Sequence, residues 1–188
     1  MGVFSPPFAH LHVASSHSLR YGATLPELLV QRSAELGQSI VALTDRDGLY
    51  AAVRWVRVCS RLGIRPVLGV DIAVEATQAA RVHPDVQART PARGGRWIDE
   101  TRPRVLLLAT GSRGWASLCR LVSAAHIGDH TARGEPWVPW SALREHSEGI
   151  VVILGADSEV GRYLADERTT LAEAATRPWR AVFDRYLA

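Results

Sequence analysis

Two histidines and two aspartates in the first half of the chain have the residue types and spacing of metal ligands. His10 and His12 are separated by one residue, so on a β-strand both imidazoles would lie on the same side, roughly 6–7 Å apart. Asp45 and Asp71 follow the next two apolar runs and could add carboxylate oxygens. Two histidines with two carboxylates suit Zn, Mn or Fe and the activation of water for phosphoester hydrolysis. The alternative is that these side chains only make hydrogen bonds where the strands end.

Short apolar runs predict the strands that would position these residues. They lie at 8–14, 39–44, 66–70, 105–109 and 149–155. Helical periodicity separates the first three, which is typical of a parallel sheet or barrel. The carboxyl ends of parallel strands meet at one rim, so residues that are distant in sequence could share a site there. We therefore expect an α/β fold with about five parallel strands.

The segment 75–103 interrupts this alternation. It is rich in proline, glycine and arginine and shows no sustained periodicity. A loop this long within a compact domain is either functional or mobile, so we interpret it as a long insertion after the third strand, either solvated or contacting nucleic acid. No segment resembles a domain boundary, and residues 1–188 are expected to form a single domain.

Composition narrows the class of protein. The chain is 47% hydrophobic and 22% charged, as expected for a globular protein, and no apolar run approaches the roughly 18 residues that cross a bilayer. We expect a cytoplasmic location and no membrane partner. The net charge is +3 and every basic residue is arginine, which is weak support for a polyanionic partner. Cys59 and Cys119 lack a CxxC spacing, which predicts buried reduced thiols.

Three longer motifs occur in an order that resembles a known family. They are His10-Leu11-His12-Val13-Ala14-Ser15, Leu43-Thr44-Asp45-Arg46-Asp47-Gly48-Leu49-Tyr50 and Gly63-Ile64-Arg65-Pro66-Val67-Leu68-Gly69-Val70-Asp71. Together they resemble the polymerase and histidinol phosphatase (PHP) domain, in particular that at the N-terminus of bacterial DNA polymerase III alpha subunits and error-prone DNA polymerases. Segments 104–109 and 148–152 extend the resemblance over most of the chain.

The resemblance implies a set of metal ligands from which this sequence departs. His12 matches a ligand of the HLHxH[ST] pattern, but the next ligand position is Ala14. Arg46 replaces the histidine of the TDH pattern, Asp71 takes the place of the glutamate in GxE, and Arg104 aligns with a further histidine. Alanine has no lone pair, and a guanidinium stays charged and repels a divalent cation.

We therefore expect a vestigial metal site, no catalytic residue and no cofactor. The vestigial metal positions are His12, Asp45 and Asp71, and an ion-pair network of Arg46, Asp47 and Arg104 is expected to replace the metal. The fold that the resemblance implies is an incomplete, distorted TIM-like (β/α) barrel of the PHP type, truncated at its C-terminus relative to the family.

The leading functional hypothesis from the resemblance is the N-terminal PHP domain of an error-prone DNA polymerase III alpha-like protein, in DNA replication or repair. Its role would be structural or vestigial and not catalytic by itself, and DNA synthesis would need a further nucleotidyltransferase domain. The expected partners are polymerase domains or subunits of a DNA polymerase III-like assembly, and DNA. One alternative is a stand-alone phosphoesterase that uses Zn or Mn with His12, Asp45 and Asp71. Another is an arginine-rich scaffold module that binds DNA or polymerase partners.

Overall fold

A computed structural model describes residues 8–77, 89–91, 97–99, 102–127 and 135–188. The chain divides into two compact units, Met1–Val70 and Asp71–Ala188, and each is described by itself below. One strand runs through the boundary and contributes residues to both units.

Within its described residues, 8–70, the first unit contains two helices and two neighbouring strands. In chain order these are α1 (Pro26–Glu35), β1 (Ile40–Arg46), α2 (Ala52–Leu62) and the first part of β2 (Arg65–Val74). The Arg65 amide donates to the Ser39 carbonyl at 2.9 Å where β2 starts beside β1. Helix α2 ends at Gly63, whose φ of +69° is a left-handed conformation that glycine adopts without steric cost.

The core of this unit forms where both helices pack against β1. Trp55 of α2 is fully buried with Val30 of α1 and with Val41 and Leu43 of β1. Cys59 belongs to the same cluster, and burial raises the pKa of its thiol to about 11, so the thiol is uncharged at neutral pH. Both cysteines are free, as predicted, although only Cys59 is fully buried.

The first predicted strand is present only as an isolated bridge between His10 and β1. The His10 carbonyl accepts from the Ala42 amide and the Val13 carbonyl from the Thr44 amide, both at 2.9 Å. Between these two hydrogen bonds the first segment advances by three residues and β1 by two. The first segment therefore carries one extra residue, which is a bulge. The extra residue interrupts the alternation expected to place two histidines on one face, and His10 and His12 are both exposed.

The second unit contains the remaining elements. They are the last residues of β2, β3 (Arg89–Pro91), β4 (Trp97–Asp99), β5 (Arg104–Ala109), α3 (Gly111–Ile127), β6 (Trp137–Val138), α4 (Trp140–Glu145), β7 (Ile150–Ile153), α5 (Glu159–Ala165), α6 (Thr169–Phe183) and a 3₁₀ turn (Asp184–Tyr186). Strand β5 lies between β2 and β7, and β6 pairs in parallel with β2.

Strand β7 runs antiparallel to β5, so the prediction of five parallel strands is wrong at this strand. Ala109 faces Ile150 at one end of the pair, and Leu106 faces Ile153 at the other. The Thr110 amide, just after β5, donates to the Gly149 carbonyl, just before β7, at 2.8 Å. The chain thus re-enters beside the carboxyl end of β5.

Within the predicted insertion 75–103, strands β3 and β4 form a two-stranded antiparallel sheet. Residues 78–88, 92–96 and 100–101 of this segment lie outside the described residues. Across the described part of the chain, no helix has both the length and the apolar character needed to cross a membrane.

Candidate functional site

Asp45 is buried near the end of β1, and its carboxylate accepts three hydrogen bonds from one loop. The Ser15 amide donates to Oδ1 at 2.6 Å, the Ser15 hydroxyl donates to Oδ2 at 2.8 Å, and the Ser18 hydroxyl donates to Oδ1 at 2.7 Å. Asp45, Ser15 and Ser18 are each at most 1% exposed. A carboxylate offers about four lone-pair positions, so most of this acceptor capacity serves the loop.

The loop closes on itself around these bonds. The Ser15 carbonyl accepts from the Ser18 amide, and the Ser18 carbonyl accepts from the amides of Tyr21 and Gly22, all at 2.9 Å. A Cβ on Gly22 would lie 1.9 Å from the Ser15 carbonyl oxygen, so only glycine fits this close approach. The Arg46 amide donates to the Ser18 hydroxyl at 2.9 Å, which ties the loop to β1 a second time.

The Arg46 side chain contacts the same loop. Its guanidinium lies 3.9 Å from the centre of the Tyr21 ring, a cation–π contact, and its Nε is 3.9 Å from Asp47 Oδ2. Asp47 has a φ of +59°, a left-handed conformation that aspartate tolerates better than most residues. Arg46 therefore joins the loop to the turn that follows β1.

Asp71 and Arg104 form a buried ion pair in the second unit. Arg104 Nε donates to Asp71 Oδ1 at 2.8 Å, and Arg104 Nη2 donates to the Asp71 backbone carbonyl at 2.8 Å. Their side chains are 12% and 9% exposed, respectively. The prediction that Asp71 lies at the end of its strand is wrong, because β2 continues to Val74. The guanidinium thus binds both the side chain and the backbone of one residue within the sheet.

The predicted site residues are therefore engaged in different ways. Arg46 pairs with Asp47 in the first unit and Arg104 pairs with Asp71 in the second. His12 is exposed, whereas Asp45 is buried. Among the residues that the structure describes, no group of three or more His, Cys, Asp and Glu side chains is arranged to hold a metal ion.

A further buried carboxylate, Glu159, was not singled out from the sequence. It accepts from the Thr77 amide at 2.7 Å and from the Thr77 hydroxyl at 2.5 Å. Burial and the neighbouring Glu159 raise the pKa of the Tyr163 phenol. The only local signal was Ser158, whose hydroxyl accepts from the Gly161 amide at 3.0 Å and caps α5. An acidic residue after such a cap is ordinary, and only the fold brings Thr77 to it.

Comparison with known proteins confirms the family. A family model described as "PHP domain" matches residues 10–187. This chain belongs to the PHP domain family. The match covers nearly the whole chain, and it confirms both the resemblance found in the motifs and the α/β fold class of the PHP type.

The PHP domain has relatives among bacterial DNA polymerases. It is 35% identical to an error-prone DNA polymerase of Mycobacterium tuberculosis (strain H37Rv) over 158 residues, which are 79% of this chain and 13% of that protein. It is 31% identical to the DNA polymerase III subunit alpha of Caulobacter vibrioides over 181 residues, or 95% of this chain and 14% of that protein. The PHP domain thus spans a small part of each relative.

Among solved structures, an amidohydrolase from Chromobacterium violaceum is similar to the PHP domain with a TM-score of 0.49 and 14% identity. The similarity covers 89% of this chain and 74% of that one.

The hydrogen bonds to Asp45 predict a large effect of removing its charge. Asp45→Asn puts an amide NH₂ against donors and weakens charge-assisted bonds, so we expect the free energy of unfolding to fall by roughly 2 kcal/mol. Urea denaturation measures it. Asp47→Asn is the matched control, because Asp47 is partly exposed and asparagine also adopts its backbone conformation. Equal midpoints for the two variants would contradict this role of Asp45.

The buried pair predicts non-additive substitutions. Arg104→Met leaves the Asp71 carboxylate buried without its guanidinium, at a cost of about 3–5 kcal/mol. The double variant Arg104→Met/Asp71→Leu removes both charges, so we expect it to be more stable than Arg104→Met alone in urea denaturation.

The exposed pair Arg113–Glu148, whose Nη1–Oε1 distance is 2.7 Å, provides the comparison for that cycle. Because water already solvates both groups, Arg113→Met is expected to leave the urea midpoint nearly unchanged. If the free-energy changes of Arg104→Met and Asp71→Leu instead sum to that of the double variant, the two buried side chains are not energetically coupled.

Proposed function

We propose that this PHP domain is a structural, non-catalytic module of an error-prone DNA polymerase III alpha-like protein. The observation that supports the proposal best is the use of the carboxylates at family metal positions. Asp45 accepts three hydrogen bonds from Ser15 and Ser18, and Asp71 accepts from Arg104. These carboxylates stabilise the fold and are not available to a metal ion. The domain would therefore act in the polymerase through its folded surface and not through catalysis.

The donor set also fits a divalent metal poorly. Ala14 has no lone pair at a position that the resemblance assigns to a ligand, and guanidiniums occupy two others, at Arg46 and Arg104. Arg104 Nε is 2.8 Å from the Asp71 carboxylate, so a cation bound to Asp71 would meet a fixed positive charge. We infer that the ion pairs of Arg46 and Arg104 have replaced the metal, and that no hydrolytic step proceeds here.

The relatives support a polymerase context. Those described above are polymerases in which the aligned region is 13–14% of the protein. We propose that residues 1–188 act as one PHP domain, with 75–103 as its insertion, and that its partners are the other domains or subunits of a DNA polymerase III-like assembly in replication or repair. The PHP domain alone would not synthesise DNA.

Metal content and phosphoesterase activity of the purified chain test this proposal together. We expect elemental analysis to find Zn, Mn and Fe well below one ion per chain. We also expect hydrolysis of p-nitrophenyl phosphate with added Mn or Zn to equal that of a protein-free control, because the donors at the metal positions are missing or already engaged.

The opposite result would identify a stand-alone metal-dependent phosphoesterase. In that result the chain would carry one or more metal ions, and its turnover would be lost in His12→Ala but kept in His146→Ala. The control histidine lies near Glu145, at 3.9 Å, and matches no family ligand position. Loss in His12→Ala alone would overturn the structural role.

A further inference from the structure

The outer face of α2 is strongly basic. Arg54, Arg57 and Arg61 are spaced three and four residues apart, so they lie on one side of the helix, and all three are exposed. At 1.5 Å per residue they cover about 10 Å of helix length. The described contacts include one counter-ion: Arg54 Nε lies 3.3 Å from Glu27 Oε1 of α1. Three arginines against one glutamate leave this face positively charged.

An exposed aromatic ring lies just before this helix. Tyr50 is 73% exposed, which is unusual for a side chain whose burial would stabilise a core. Its ring lies against Gly48, where an added Cβ would come within 2.3 Å of Tyr50 Cε2. The glycine therefore lets the ring rest directly on the backbone, which positions the ring while leaving most of it open to solvent.

The ring and the arginines line the same shallow groove on the first unit. Its lining includes Tyr50, Val53, Arg57 and Arg61, together with Arg54 and its counter-ion Glu27. Val53 is 65% exposed and adds an apolar surface to the groove. One groove thus combines a row of cations with an accessible aromatic face.

We propose that this groove binds single-stranded nucleic acid, with an unpaired base stacked on Tyr50 and the adjacent phosphates on Arg57 and Arg61. A basic groove with an exposed aromatic ring is the combination that binds single strands without reading their sequence. In a duplex the bases are stacked and paired inside, so the ring would have no face to contact. An acidic protein segment would engage the arginines but would leave the ring without a flat partner.

The groove is short, which sets the expected site size. The arginine row is about 10 Å long, so we expect it to contact only a few phosphates of one strand. This site goes beyond the structural role proposed above and does not depend on it, because it uses neither the metal positions nor polymerase partners. A phosphoesterase with bound metal could carry the same groove.

Binding of fluorescein-labelled single-stranded dT₁₅ to the full chain, measured by fluorescence anisotropy, tests the proposal. We expect Tyr50→Ala to raise Kd about 10-fold, from the loss of one stacked base, and Tyr50→Phe to leave Kd unchanged. An oligomer of abasic sites with the same phosphates isolates the stacking contribution, and its Kd should not respond to Tyr50→Ala.

The arginines are tested by salt dependence between 50 and 200 mM NaCl. Arg57→Gln/Arg61→Gln should lower the slope of log K against log salt by about 1.4, since each phosphate contact on a single strand contributes about 0.7. Arg177→Gln/Arg180→Gln is the matched control. Both arginines are exposed on α6, and their substitution removes the same charge from another surface. It should change the slope by much less.

Three results would overturn the proposal. The first is an equal reduction of the salt-dependence slope in Arg57→Gln/Arg61→Gln and in Arg177→Gln/Arg180→Gln, which would reflect net charge alone. The second is unchanged dT₁₅ binding in Tyr50→Ala. The third is displacement of dT₁₅ by polyglutamate in a manner that needs the arginines but not the tyrosine, which would indicate an acidic protein partner. Circular dichroism of each variant confirms folding, and all the substituted side chains are exposed, so the fold should be retained.

Discussion

The local structure around β1 depends on one buried charge, the carboxylate of Asp45. A carboxylate removed from water must be compensated by hydrogen bonds, and here the serines of one loop supply them. The loop is therefore held by the strand, and the strand's charge is held by the loop. Gly22 is required because the turn closes within van der Waals distance of Ser15. A metal ion bound to the same carboxylate would have to replace bonds that the loop needs.

The second unit handles its buried carboxylate differently. Arg104 binds both the side chain and the carbonyl of Asp71, which a compact cation could not reproduce in this fork geometry. Breaking such a pair is costly, yet removing both partners is often tolerated, so the pair is weak evidence of added stability. Its clearest consequence is electrostatic, since it places a permanent positive charge at a position where the PHP family resemblance expects a metal ligand.

Local patterns predicted much of the fold. Helical periodicity between the first three apolar runs predicted α1 and α2, and the ordered motifs identified the PHP family. Three features could not be predicted, because each depends on tertiary contacts. Apolar runs do not encode strand direction, so β7 appeared parallel. The bulge beside β1 arises from pairing with Ala42 and Thr44. Ser15 and Ser18, which donate to Asp45, lie about 30 residues from it in the sequence, so only the folded chain reveals these contacts.

Protein donors, and not a metal, compensate the carboxylates of this PHP domain. Urea denaturation of the full chain with and without added Mn²⁺ tests it most directly, because a ligand that binds only the native state raises the free energy of unfolding. If protein donors already engage Asp45 and Asp71, the urea midpoint stays unchanged when Mn²⁺ is added. A native metal site at a Mn²⁺ concentration 100 times its Kd would raise the free energy of unfolding by about 2.7 kcal/mol, and a rise of that size would show that a metal binds these carboxylates.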